Sequence, residues 1–296
     1  MAWRWIPPLT ADGQRQMAID RWMLAQQSGG QASPMLRLYR WSQPTLSLGR
    51  HQRQIEPHWI ALAEQGRLRL VRRPSGGRAV LHAGELTYAL ACRPRTTHRL
   101  TAYAEACQWL VAAFEDLGVP LRFGSVKAAA AAQRGNCFAS GTAADLVQAN
   151  GAKRIGSAQL WRGACLLQHG SVLIQPPEDL WREVFSTPAP ALEPLPESAV
   201  MEALQRAAHD HLCGGLLHHQ ELSPSEWGEI EGQGDPVSYT HLRAHETRGN
   251  LVCRLLLEKK NGASFTASIA LARARSRFSV SSAMARAVSS TPRWRR

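Results

Sequence analysis

Two glycine-containing segments and one cysteine between them hold the residues best suited to chemistry. The first segment occupies residues 72–82, with the sequence RRPSGGRAVLH, and follows the apolar run at 68–71. Paired glycines let a ligand approach the backbone N–H groups closely. Arginines beside them suit a phosphate or a carboxylate. The pattern predicts a ligand-binding loop that follows a strand.

The second segment occupies residues 151–159, with the sequence GAKRIGSAQ. Its lysine, Lys153, lies three residues before the small residues Gly156, Ser157 and Ala158. A compact ammonium group can stabilise a developing oxyanion or an acyl phosphate. The pair Asn150-Gly151 also favours a hairpin turn, so a solvated hairpin lysine is the alternative interpretation.

The cysteine between these segments, Cys137, lies outside any strong apolar pattern, between Asn136 and Phe138. A reactive cysteine needs partial exposure and a cationic neighbour, because the thiolate is the nucleophile. Lys153 is the natural candidate for that neighbour. The residues alone leave open that Cys137 is a small apolar side chain that fills a gap.

Charge and cysteine usage exclude several classes of protein. The net charge is +12, but residues 236–296 carry 12 of the 35 Lys and Arg residues and only 2 of the 23 Asp and Glu residues. The remainder is nearly neutral, which argues against nucleic-acid binding. The six cysteines form no CxxC pair, which favours free thiols in a reducing cytoplasm over disulfides or a metal site. We find no signal peptide and no membrane-spanning apolar run, so we expect a cytoplasmic protein without membrane association.

The basic C-terminal segment is expected to be foreign to the native protein. Residues 237–247 read VSYTHLRAHET and resemble a translated sequencing adapter, and residues 251–257 read LVCRLLL and resemble the translated primer. We therefore expect a catalytic domain at residues 1–235 and a disordered adapter-derived tail at 236–296. The alternative is a genuine basic tail that contacts nucleic acid or an acidic partner.

Hydrophobic patterning predicts an α+β domain with a mixed β-sheet flanked by helices. Strand patterns outnumber helical ones and do not alternate strictly with them. We predict strands at 35–41, 45–48, 68–71, 86–92, 144–147, 154–160 and 166–174, and helices at 14–27, 57–64, 101–117, 180–184 and 199–212. Residues 127–133 are interpreted as a mobile loop beside the site.

Residues 1–235 resemble the catalytic domain shared by lipoate–protein ligases, octanoyltransferases and, more distantly, biotin–protein ligases. The resemblance is strongest at 72–88 and 136–174. It is closest to the cysteine-dependent octanoyltransferase branch, because Cys137 precedes Phe138 where that branch carries its nucleophile. A lipoate/biotin ligase type of fold is therefore expected.

The resemblance also implies roles for individual residues. Cys137 would accept an octanoyl or lipoyl group as a thioester, and Lys153 would be the second catalytic residue. Substrate-binding residues are expected in both segments: Arg72, Arg73, Ser75, Gly76, Gly77, Arg78, His82, Gly156, Ser157, Ala158, His169 and Gly170. The three arginines are candidates for binding phosphates, the two histidines for shuttling protons, and Gly76 and Gly77 for lining an acyl tunnel where a Cβ would intrude.

A second octanoyltransferase branch carries its cysteine where this chain has Leu166. Cys165 is one residue away, and a one-residue slip in a strand turns a side chain to the opposite face. We therefore interpret Cys165 as structural, and Cys92, Cys107 and Cys213 as core residues.

The leading hypothesis is an acyltransferase that uses no cofactor. It would take an octanoyl group from acyl carrier protein to a lipoyl domain of a 2-oxoacid dehydrogenase or of the glycine cleavage H protein. The first alternative is a lipoate–protein ligase, which would require ATP and Mg. The second is a non-catalytic binder of lipoyl domains.

Overall fold

The computed structural model describes residues 2–30, 32–124 and 145–232, all of which belong to one compact unit, Met1–Tyr239. Three sequence predictions fall outside the described residues. They concern the nucleophile Cys137, the loop at 127–133 and the foreign tail at 236–296.

Eleven strands lie within the described residues and form two sheets: β1 (Trp3–Ala11), β2 (Met35–Trp41), β3 (Thr45–Leu48), β4 (Arg69–Arg72), β5 (Val80–His82), β6 (Glu85–Cys92), β7 (Arg122–Phe123), β8 (Leu146–Val147), β9 (Lys153–Arg162), β10 (Cys165–Leu173) and β11 (Leu217–His219). The larger sheet has the order β11-β1-β2-β6-β10-β9-β8-β7, and the smaller has the order β4-β3-β5. Parallel pairs join β1 to β11, β1 to β2 and β3 to β4, and the other pairs are antiparallel. The predicted mixed sheet is confirmed.

Seven helices occur in the same described part of the chain: α1 (Gly13–Ser28), α2 (Pro57–Glu64), α3 (Arg99–Glu105), α4 (Gln108–Asp116), α5 (Glu178–Phe185), α6 (Glu197–Ala207) and α7 (Pro224–Gly232). A π-helical turn at Ala208–Leu212 extends α6. The first helix begins where the Asp12 carboxylate accepts a hydrogen bond from the backbone N–H of Arg15, which satisfies one unpaired donor of the first turn. None of the described helices is long and apolar enough to cross a membrane.

The larger sheet is covered by helices on both faces, and the side chains of β10 show this alternation. Leu166 packs in a core cluster with residues of α4 and α6. Leu167, the next residue, packs in a separate cluster with residues of α1. Because successive side chains of a strand point to opposite faces, β10 contributes to both layers. His169 and Ser171, described below, are spaced by two and four residues from Leu167 along β10 and therefore lie on the α1 side.

One predicted helix is wrong. The segment 101–117 forms two helices, α3 and α4, which are separated at Ala106 and Cys107. Two side-chain donors reach the Ala106 carbonyl oxygen at this break, Trp109 Nε1 at 3.0 Å and Gln168 Nε2 at 3.4 Å. The contact from Trp109 is local, whereas the one from Gln168 comes from tertiary packing, which local helical periodicity does not reveal.

Five elements were not predicted: β1, β5, β7, β11 and α7. Strand β1 contains Pro7 and Pro8, and its pairing with β2 is interrupted between Ile6 and Leu9. Proline cannot donate to a ladder, so its presence argues against a strand unless the strand carries such an irregularity. Because of these two prolines, the sequence pattern did not predict this strand near the edge of the larger sheet.

A close backbone contact makes Gly49 sensitive to substitution. A Cβ on Gly49 would lie 1.9 Å from the carbonyl oxygen of Gly77, whereas a Cβ on Gly76 would have nothing within 4 Å. We expect Gly49→Ala to lower the free energy of unfolding by about 1–3 kcal/mol, because backbone atoms must move. The matched Gly76→Ala should change it by less than about 0.5 kcal/mol. Denaturant titration measures both, and equal stabilities would contradict this packing.

Candidate functional site

A pocket lies between the larger sheet, the smaller sheet and helix α1. Its walls come from α1 and β2 (Met17, Tyr39, Trp41), from the smaller sheet and the loop after β4 (Ser47, Arg73, Gly77, Val80, His82), and from β6, β9 and β10 (Thr87, Gly156, Ser157, Ala158, His169, Gly170, Ser171). The structure therefore brings both glycine-containing segments of the sequence to one cavity.

The loop at residues 72–79, here called the glycine loop, is held by its own arginines. The Arg73 guanidinium is buried and donates to the carbonyl oxygens of Ser47, Gly76 and Arg78 at 2.6–2.9 Å. Arg72 donates from Nη1 to the carbonyl oxygens of Gly49 and Gln52, at 2.7 and 2.8 Å. Both guanidinium groups thus hold backbone in place beside the pocket, while Arg78 is exposed.

The two glycines of this loop differ from each other. Gly77 has a φ of 99°, which favours glycine, and it lines the pocket. A Cβ there would lie 2.7 Å from Nη2 of Arg73. Gly76 is not a lining residue, and a Cβ on it would have open space around it. Only Gly77 of the two therefore contributes to the wall of this pocket, and the role expected for Gly76 stays a prediction.

A buried hydrogen-bonded chain links the glycine loop to α1. Ser75 Oγ lies 2.5 Å from His169 Nε2, and His169 Nδ1 lies 2.7 Å from Asp20 Oδ2. The carboxylate can only accept, so Nδ1 carries a proton. In the neutral imidazole Nε2 then accepts the proton of the Ser75 hydroxyl. All three residues are at most 5% exposed.

The carboxylate of Asp20 ends this chain and is itself compensated. Arg37 Nη2 lies 2.5 Å from Asp20 Oδ1, and the Arg37 guanidinium also donates to the Gln16 side chain at 2.6 Å. Burial alone would raise the pKa of Asp20, but the charge of Arg37 and the hydrogen bond from His169 bring it below its usual value of 3.8. Asp20 is therefore ionised at neutral pH.

The second predicted histidine, His82, has a matching arrangement. Its Nδ1 lies 2.5 Å from Glu85 Oε1, and its Nε2 lies 2.8 Å from Ser47 Oγ. Trp41 stacks on the imidazole with ring centroids 3.9 Å apart. Glu85 also accepts from the Thr87 hydroxyl at 2.7 Å. His82 is thereby fixed in one tautomer and one orientation in the pocket wall.

Lys153 is not a solvated hairpin lysine. Its Nζ lies 2.7 Å from Asp145 Oδ1, and both side chains are at most 5% exposed. A buried ammonium is stable when a carboxylate compensates it. The structure thus places a fixed positive charge at the start of β9, in the strand that carries Gly156 and Ala158 to the pocket wall.

Residues 12–198 match the family model described as the lipoyl protein ligase A/B catalytic domain. The chain belongs to this family. Its curated relatives include two proteins named octanoyltransferase LipM. That of Carboxydothermus hydrogenoformans is 36% identical over 58% of this chain and 65% of its own length. That of Moorella thermoacetica is 33% identical over 72% of this chain and 77% of its own length.

Solved structures of lipoate ligases share this fold. A putative lipoate protein ligase from T. acidophilum with bound lipoic acid is 19% identical, with a TM-score of 0.64, over 78% of this chain and 94% of its own. A lipoate-protein ligase A bound with ATP is 20% identical, with a TM-score of 0.62, over 78% and 94% of the two chains. The expected lipoate ligase type of catalytic domain is confirmed.

Within this lipoyl ligase A/B domain, strands β9 and β10 approach closely at Gly170. A Cβ on Gly170 would lie 2.5 Å from Ser157 Oγ and 2.6 Å from Tyr88 Cε1. The Ser157 hydroxyl is engaged with the Tyr88 hydroxyl at 2.7 Å. Glycine at 170 therefore allows a hydrogen-bonded pair to pack beneath the pocket.

Cys165 is buried away from the pocket lining. Its thiol lies 3.3 Å from the carbonyl oxygen of Gln27, and it packs in the cluster on the α1 side of the sheet. Leu166 faces the opposite side, as predicted from the strand period. The other described cysteines, at 92, 107 and 213, are also buried, and burial raises the pKa of each of these three thiols to about 12.

Asp20 and Asp145 were missed by sequence reasoning, although each compensates a predicted site residue. Asp20 is a buried acid beside Arg21, and the two are the charged residues of the mainly apolar stretch Met17–Leu24 of α1, which was the available signal. No spacing rule links Asp145 to Lys153, since their pairing depends on how β8 and β9 meet. No group of three or more His, Cys, Asp or Glu side chains able to hold a metal lies in the ranges 2–30, 32–124 and 145–232.

Asp20 should dominate the stability of this region. We expect Asp20→Asn to lower the free energy of unfolding by about 3–5 kcal/mol, because it leaves the Arg37 charge buried without compensation. The matched control Glu231→Gln, which removes an exposed ion pair with Arg15, should cost less than about 1 kcal/mol. Urea titration of both variants measures the difference.

The contribution of the Asp20 carboxylate to the free energy of unfolding should depend on pH. Because the pKa of folded Asp20 is lowered, its contribution is present above 3.8 and is lost as the pH falls below that value. The stability difference between the wild type and Asp20→Asn should therefore shrink on acidification. A difference that stays constant down to the acid transition would contradict the assignment.

Proposed function

We propose that this chain transfers an octanoyl group from acyl carrier protein to a lysine of a lipoyl carrier domain, through a thioester on Cys137. The observation that carries the proposal is the 33–36% identity to proteins named octanoyltransferase LipM, over 65–77% of their lengths. A T. acidophilum relative of known structure is described together with an E2 lipoyl domain, which supports a lipoyl domain as the acceptor.

The pocket suits a saturated acyl chain. Gly156 and Ala158 leave space above the sheet, and Met17, Trp41 and Val80 supply apolar surface. Each methylene removed from water contributes about 0.8 kcal/mol, so such a chain gains affinity from burial alone. The polar side chains of the wall are mostly bonded to one another and present little unsatisfied polarity to the chain.

The reaction needs two acyl transfers and no cofactor. The Cys137 thiol loses its proton to solvent, and the thiolate attacks the donor thioester. A new C–S bond forms, the donor C–S bond breaks, and the donor leaves as a thiolate that takes a proton from solvent. The neutral amine of the acceptor lysine then attacks the Cys137 thioester, an amide forms, and the Cys137 thiol is released. The Lys153 ammonium, fixed by Asp145, stabilises the negative charge on the carbonyl oxygen in each tetrahedral intermediate.

An ATP-dependent lipoate ligase is the competing function. ATP is bound to one structural neighbour, at 20% identity, and that likeness concerns the fold. Such a ligase would require ATP and Mg and would have no need of Cys137. The two functions therefore predict different covalent intermediates.

The intermediate is the most direct test. Mixing the enzyme with octanoyl carrier protein alone should add one octanoyl mass to the peptide that contains Cys137, and hydroxylamine should remove it. Cys137→Ser should lose the adduct, because a serine hydroxyl without a dedicated base stays protonated. Peptide mass spectrometry locates the adduct.

Cys165→Ser is the matched control for this experiment. Its thiol lies against the Gln27 carbonyl oxygen, away from the pocket lining, so both adduct and turnover should persist. An adduct on Cys165 instead of Cys137 would show that Cys165 is the nucleophile and would overturn the assignment of Cys137. Modification of a lipoyl domain that requires ATP and tolerates Cys137→Ser would favour the ligase.

Lys153 should contribute to the transition state. Lys153→Ala should lower the rate of acyl transfer by roughly 10²–10³-fold, as the removal of one oxyanion donor does. Lys153→Arg should not restore it, because the planar guanidinium cannot replace a compact ammonium against Asp145. Single-turnover assays measure the rate, and near-normal rates in either variant would assign Lys153 a structural role.

A further inference from the structure

The polar side chains of the pocket wall are, with one exception, bonded to other groups of the protein. Ser47 pairs with Arg73 and His82. Thr87 accepts from Trp41 Nε1 at 2.9 Å and donates to Glu85. The hydroxyl of Ser157 pairs with Tyr88, and His169 pairs with Ser75 and Asp20. These groups have little capacity left for a ligand.

Ser171 is the exception. Its hydroxyl oxygen is buried and has no hydrogen-bond partner among the described residues, although Ser171 lines the pocket and is only 3% exposed. An unsatisfied buried hydroxyl costs about 1–3 kcal/mol, so its presence in a ligand pocket calls for a physical reason. A ligand acceptor atom would satisfy it.

The strand register places Ser171 towards Lys153. Ser171 lies opposite Gly156 on β9, and His169 lies opposite Ala158. Gly156 is three residues from Lys153, a separation of about 10 Å along a strand. Ser171 is therefore nearer to the Lys153 end of β9 than His169 is. A bound acyl chain whose carbonyl group faces Lys153 would therefore place that carbonyl group beside Ser171.

We propose that Ser171 donates a hydrogen bond from Oγ to the carbonyl oxygen of the bound acyl group. The identity of that group as an acyl thioester rests on the proposed function. Ser171 then contacts a reacting atom, together with the Lys153 ammonium, while the other wall residues shape the apolar part of the pocket.

This role predicts opposite effects on function and on stability. Ser171→Ala should lower the single-turnover acylation rate by roughly 10²-fold, the scale of one lost oxyanion donor. Its thermal midpoint should be unchanged or raised, because the substitution removes a buried hydroxyl that has no partner. Ser75→Ala is the matched control for stability. It leaves His169 Nε2 without its partner, so its midpoint should fall.

A pair of unreactive ligands tests the hydrogen bond without turnover. S-(2-oxononyl)pantetheine and S-nonylpantetheine differ only in one carbonyl oxygen, and neither can transfer an acyl group. Calorimetry on the full chain should show that the wild type binds the ketone roughly three- to tenfold more tightly, the scale of one net hydrogen bond. Ser171→Ala should lose this preference and keep its affinity for the thioether.

The outcomes separate this proposal from the proposed function. A wild type without preference for the ketone, or a Ser171→Ala variant that retains it, would overturn the role of Ser171. A marked fall in the thermal midpoint of Ser171→Ala would assign it a structural role instead. A wild type that prefers the ketone but forms no octanoyl adduct would support Ser171 and overturn the octanoyltransferase function.

Discussion

The buried carboxylate of Asp20 is the group on which the site depends. It is 0% exposed and bonds Arg37 of β2 and His169 of β10, and through His169 it reaches Ser75 of the glycine loop. An uncompensated charge in this position would be very costly, so the four residues must fold together. The ion pair with Arg37 and the hydrogen bonds through His169 thereby fix α1, two central strands and the loop relative to one another.

The pocket follows from this arrangement. Helix α1 and the smaller sheet are held over the larger sheet, and the small residues Gly156 and Ala158 leave room between them. His82 and His169 each have an acid on Nδ1 and a serine on Nε2, so both imidazoles keep fixed tautomers and both of their ring nitrogens are already bonded within the protein. A rigid wall of this kind can hold an apolar chain. The groups that are bonded to one another then take no part in the reaction, which depends on the remaining groups of the site.

Local sequence patterns predicted much of the fold and part of the site. Strands β2, β3 and β10 were predicted within one residue of their ends. A period of two is visible in β2 and β3, whereas β10 is buried along its whole length and shows no such alternation. The break between α3 and α4 and the irregular β1 depend on contacts from distant residues and were missed. Likewise the glycine loop and Lys153 carry local motifs, whereas Asp20 and Asp145 become site residues through pairings that only the tertiary structure creates.

A crystal structure of the octanoylated enzyme would test the central claim that the cavity between the two sheets is the acyl site. We expect the thioester at Cys137, the acyl carbonyl at the Lys153 end of β9 and the methyl end between Met17 and His169. An octanoyl chain on the α4–α6 side of the larger sheet, outside the pocket, or attached to Cys165 would contradict the account.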